Sequence, residues 1–167
     1  MTGEVVTRRR FVVRTGFAIV GGPVAALAQS QPALPERPPA LAPALVNEFV
    51  VKAHTDLAAT KALLLEQPRL LNATWDWGGG DFETGIGGAG HMGSREIAEY
   101  LISQGARLDV FVAAMLGKLE IVRALLTTWP GLLHSKGPHG ISLLRHAHAG
   151  GEPARQVVDY LRSLGAA

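Results

Sequence analysis

The chain repeats itself, and this constrains its fold more than any single motif does. Ala62-Leu63-Leu64-Leu65-Glu66-Gln67-Pro68-Arg69-Leu70-Leu71 aligns without a gap on Ala124-Leu125-Leu126-Thr127-Thr128-Trp129-Pro130-Gly131-Leu132-Leu133, 62 positions later. Ile97 to Ala106 aligns on Val157 to Ala166 at an offset of 60. Two independent self-matches at nearly one spacing mark a chain of stacked copies, since a single copy of such a unit cannot bury its apolar face alone. Ile97 and Leu101, Ile121 and Leu125, and Val157 and Leu161 are each spaced i, i+4, which puts each pair on one face of a helix. Gly105 and Gly165 are expected to end helices in the left-handed conformation, while Pro68 and Pro130 cannot continue one.

Repetition also decides how the most conspicuous motif reads. Gly85-Ile86-Gly87-Gly88-Ala89-Gly90 fits G-x-G-x-x-G, which signals a phosphate-cradling loop only when a buried strand precedes it and a helix opens from it. The same segment realigns 24 positions later on Val110-Phe111-Val112-Ala113-Ala114-Met115-Leu116-Gly117, where Phe, Val and Ala replace three of the glycines. It therefore reads as a small-residue helix leading into a turn. No buried strand is expected before it in Asp76-Trp77-Gly78-Gly79-Gly80-Asp81, and no nucleotide or other cofactor is expected. The glycines are expected to let neighbouring helices approach closely. Each costs about 1 kcal/mol of helix stability relative to alanine, so this helix should be short.

Gly140-Ile141-Ser142-Leu143-Leu144-Arg145-His146-Ala147, Gly117-Lys118-Leu119-Glu120-Ile121-Val122-Arg123-Ala124-Leu125-Leu126 and Met92-Gly93-Ser94-Arg95-Glu96-Ile97-Ala98 through Gly105-Ala106 resemble the two halves of the ankyrin repeat. The resemblance covers roughly residues 45–166 and implies an all-α solenoid of about four helix-turn-helix pairs. Leu63, Leu101, Leu125 and Leu161 mark the second helices, at steps of 38, 24 and 36 residues. The family step is ~33. The short step leaves no room for a hairpin between Gly105 and Val110, and the long one carries an enlarged finger from Ala73 to Phe82.

The termini of this domain differ in kind from it. Arg8, Arg9, Arg10 and Arg14 precede a mostly apolar run that closes on Ala26-Leu27-Ala28. A charged start, a short apolar stretch and a small-residue cleavage site read as an export signal over residues 1–28. Thr7, Arg8, Arg9 and Phe11 resemble the twin-arginine pattern, which implies a bacterial protein delivered folded to the periplasm. The alternative is an uncleaved leader that anchors the chain to the inner membrane. Residues 29–43 hold five prolines and read as an extended linker, with the repeat domain over 44–167. Without the leader, 12 basic residues face 13 acidic ones. No basic field remains for nucleic acid, and contact with the membrane is expected only through the signal. The chain has no cysteine, so it carries neither disulfides nor thiol chemistry.

Within the domain no catalytic constellation is apparent. Six histidines are present, and His146 and His148 are two apart on a helix, so they point in different directions. No spacing advertises a metal site, and the histidines read as turn and cap residues. No serine sits in a G-x-S-x-G context. What remains is a surface. Fingers and first helices form the recognition face in the family that the chain resembles, which here implies Trp75, Trp77, Asp81, Phe82, Glu83 and His139, with Phe111 joining if unburied. Tryptophan is enriched in interface hot spots. The expectation is a non-catalytic module that binds an unknown protein partner. Its rival is a small carbohydrate-binding or hydrolytic protein using the Trp, Asp and Glu residues of the 75–83 loop.

Overall fold

The structure is a computed structural model that describes residues 37–167. The export-signal residues Arg8, Arg9, Phe11, Ala26 and Ala28, and most of the proline-rich linker, lie outside the described residues. Eight α-helices carry the described chain: α1 Pro43–Thr55, α2 Leu57–Glu66, α3 Gly85–Met92, α4 Arg95–Ser103, α5 Val110–Met115, α6 Leu119–Thr128, α7 Leu143–Ala149 and α8 Arg155–Ser163. None of the described helices is long and apolar enough to cross a membrane.

Local chemistry sets these boundaries. Pro43 opens α1, where its missing N–H would have no partner anyway. The Asp56, Thr84, Asp109 and Ser142 side chains accept hydrogen bonds from the first-turn amides of α2, α3, α5 and α7. Pro68 and Pro130, equivalent in the self-match, each stop a helix and open a short 3-10 turn, Pro68–Asn72 and Pro130–His134.

Each odd-numbered helix pairs with the even-numbered helix after it. The odd helices also form a row in which α1 packs on α3, α3 on α5 and α5 on α7. Residues 38–167 make one compact unit with two apolar clusters. Phe49, Ile86, Leu101 and Met115 anchor the first, and Val122, Leu143, Val157 and Leu161 the second. Helix α5 serves both, with Val112 and Met115 facing one and Ala113 and Ala114 the other. Because α5 has only six residues, α7 also reaches α3.

The sequence led us to expect no buried strand here and no parallel sheet. β1 Thr74–Asp76 and β2 Phe82–Thr84 pair antiparallel, with Trp75 opposite Glu83. Gly78, Gly79 and Gly80 all take positive φ and turn the chain between them. This two-stranded finger runs directly into α3, so a strand does precede the glycine motif. It is not the buried parallel strand that a dinucleotide loop requires. The glycines serve packing instead. A Cβ at Gly85 would lie 2.8 Å from Phe49 Cε1, and one at Gly90 would lie 3.0 Å from Val112 Cγ2.

Candidate functional site

Strand alternation places the key residue. Along β2 Phe82 faces out at 60% exposure, and Glu83 faces in at 1%. A buried carboxylate is costly unless partners surround it, and here they come from four other segments. Trp77 Nε1 donates to Glu83 Oε2 at 2.8 Å. His91 Nε2, near the end of α3, lies 2.9 Å from Glu83 Oε1. His54 Nε2, near the end of α1, and His139 Nε2, in the turn Pro138–Gly140, lie 3.3 and 3.4 Å from Oε2. Burial pushes the Glu83 carboxyl up, but the His54 and His91 imidazoles and the Trp77 N–H outweigh it and hold it well below the ordinary range. Conversely, the Glu83 carboxylate raises the His54 imidazole.

Two of the three histidines, His54 and His139, are oriented from behind. His54 Nδ1 donates to the Val50 carbonyl, 2.8 Å away and one turn back in α1. His139 has a φ of 58°, the one left-handed non-glycine residue among those described. The Asp81 carboxylate holds it there, accepting from the His139 backbone N–H at 2.9 Å and from Nδ1 at 2.8 Å. A left-handed backbone costs such a residue roughly 1–2 kcal/mol. It persists because two bonds from one carboxylate fix both backbone and ring.

Gly88 makes room for this arrangement. A Cβ there would lie 2.7 Å from His54 Cε1 and 2.8 Å from Nδ1, so any side chain would drive the ring from its place. Ser94 Oγ also donates to the His54 carbonyl. Behind His91 stands His146, whose ring centroid is 6.4 Å away. It is 1% exposed, with Nδ1 bonded to the Ser142 carbonyl and Nε2 without a partner among the described residues. Burial pushes its imidazole down, towards the neutral form.

Of the residues expected to form a recognition face, the structure brings together Trp77, Asp81, Glu83 and His139. Phe82 and Trp77 remain exposed, at 60% and 40%. One expectation needs correction. Glu83 is not on the surface, because the alternation of β2 turns it inward. Trp75 is half-buried against the first apolar cluster. Phe111 is also half-buried, and it packs on the His146 ring at 5.0 Å.

Reading the sequence did not select His54 and His91. Each is the last residue but one of its helix, and α1 and α3 are neighbours in the row. Equal positions on stacked helices face each other, and that was the available signal.

Fold and site thus define a mostly helical protein in which a β-finger closes over a carboxylate ringed by three imidazoles. Comparison with family models, with curated proteins and with solved structures finds no match in any of the three.

Proposed function

We propose that the chain is an ankyrin-type repeat protein acting as a non-catalytic protein-binding module, exported to the bacterial periplasm by its twin-arginine-like leader. The self-matching sequence, the helix hairpins and the row of odd helices support the repeat reading. The uneven steps account for its irregularities, an enlarged finger after α2 and no finger before α5.

One observation carries the binding role. The finger is fixed in place by the Asp81–His139 clamp, yet it holds Phe82 and one side of Trp77 out in solvent. A rigid aromatic that no core requires loses little entropy on binding, which suits it to anchor a partner. The rival hydrolytic reading draws less support. Two-carboxylate chemistry needs both acids to face the scissile bond. Glu83 faces three histidines instead, and Asp81 is taken up by His139.

The test is affinity capture from a periplasmic extract of the host, using the full chain and its Phe82→Ala variant. A specific protein retained by the wild type should be held about 30-fold more weakly by the variant, as truncation of a hot spot costs ~2 kcal/mol. A partner retained equally by both, or none retained, would count against the reading.

A further inference from the structure

We infer that His54, Glu83, His91 and His139 form a binding site for one divalent first-row transition ion of the zinc class. The site goes beyond the protein-binding role and stands whether or not the finger meets a partner.

Spacing is the first argument. The four donor atoms all lie within 4.8 Å of one another. Zinc holds nitrogen and oxygen donors at about 2.0–2.2 Å in a tetrahedron, so neighbouring donors sit about 3.3 Å apart. The His54–His91 Nε2 separation is 3.2 Å, and the three histidine-to-carboxylate contacts are 2.9, 3.3 and 3.4 Å. These four separations approach the edge length of such a polyhedron, with His91 meeting Oε1 and His54 and His139 meeting Oε2.

Proton accounting is the second. A neutral imidazole has one N–H, and His54 and His139 spend theirs at Nδ1, on the Val50 carbonyl and the Asp81 carboxylate. Their Nε2 atoms then present lone pairs; His91 Nε2 donates to that of His54 across 3.2 Å, but His54 and His139 both also face carboxylate oxygens that carry lone pairs. Protonation relieves this for one ring. Three imidazolium ions around one carboxylate would repel each other. Moreover, none of the three histidine–Glu83 contacts is aligned as a hydrogen bond, and the buried Oε1 accepts no such bond from any described residue. Lone pairs gathered this closely meet their needs through a shared cation.

The surroundings are the third. Metal-bound histidines are typically oriented by an acceptor on the far ring nitrogen. Val50 and Asp81 supply one for His54 and His139, and Trp77 orients the carboxylate. Gly88 leaves the space that the His54 ring fills. Imidazoles with one carboxylate suit zinc, iron, cobalt or nickel, whereas magnesium and calcium prefer all-oxygen sites.

The test uses untagged full chain stripped with a chelator. It is titrated with zinc chloride by calorimetry and with cobalt chloride by visible absorption. One equivalent should bind, cobalt should develop d–d bands, and excess magnesium should displace neither ion. Asp81→Asn should weaken zinc about 10- to 100-fold, since it removes only an orienting partner. His139→Asn and Glu83→Gln should weaken it by at least ~100-fold. Asparagine tolerates the left-handed backbone, so the exposed turn survives that change. Gly88→Ala should alter the cobalt spectrum by displacing His54. The proposal is overturned if the folded wild type binds no stoichiometric zinc. It is equally overturned if His139→Asn and Glu83→Gln bind as tightly as the wild type, which would move the ion to another histidine such as His134 or His148.

Discussion

Glu83→Ala is expected to lower the stability of the metal-free full chain by about 3 kcal/mol, the lower end of what breaking a buried charged cluster costs. The lower end applies because the histidine partners keep some solvent contact, with side chains 10–33% exposed. The loss should depend on pH in a defined way. The folded Glu83 carboxyl lies below its reference of 4.5, so its contribution is complete above that pH and disappears as pH falls through the folded value. The folded His54 imidazole lies above 6.5, so its contribution is complete below that pH and disappears as pH rises through the folded value. The difference between wild type and variant should therefore be largest between pH 4.5 and 6.5. His146, held low by burial, stabilises above 6.5 and loses this on acidification, mainly in both proteins alike. Urea melts across this range measure the difference, and one that stayed flat would contradict the assigned cluster.

The second large effect concerns the helix row. Gly117 follows α5 with a φ of +72°, and a Cβ there would lie 2.1 Å from the Pro153 carbonyl oxygen. Gly117→Ala thus combines a left-handed backbone, about 1 kcal/mol, with a clash against main chain of roughly 3 kcal/mol. A loss of about 4 kcal/mol is a large share of the roughly 5–15 kcal/mol that holds a domain of this size. Gly105 is the control. It has a φ of +93°, but a Cβ there would meet nothing within 4 Å, so Gly105→Ala should cost only ~1 kcal/mol. Denaturant midpoints for the two variants measure the gap. Equal losses would mean that the hairpins do not approach each other as described.

Gly117 was legible in the sequence because it recurs. It aligns with Gly93, and a Cβ at Gly93 would meet the Ala149 carbonyl oxygen in the same manner, at 2.3 Å. The helix stops at Gly105, Pro68 and Pro130 were legible for the same reason, since each rests on local backbone chemistry. The finger was anticipated as an insertion, but not which residues pair in it. Runs as short as Thr74-Trp75-Asp76 and Phe82-Glu83-Thr84 carry too little alternation to announce pairing.

The cluster was least legible. Its members stand at positions 54, 83, 91 and 139, on three helical segments and a strand, and no local spacing joins them. Only the packing of α1 on α3 and the clamp from Asp81 to His139 bring them together. Glu83 was placed on the surface because fingers form the recognition face in the family that the chain resembles. A ring of imidazoles is what allows a carboxylate to face inward while Phe82 faces out.

X-ray diffraction from zinc-grown crystals of the full chain, collected on both sides of the zinc absorption edge, asks directly whether four distant residues share one centre. A single anomalous peak should appear within about 2.0–2.2 Å of His54 Nε2, His91 Nε2, His139 Nε2 and one Glu83 oxygen. A map with no peak there, or a chain whose 138–140 turn stands away from Glu83, would contradict the account.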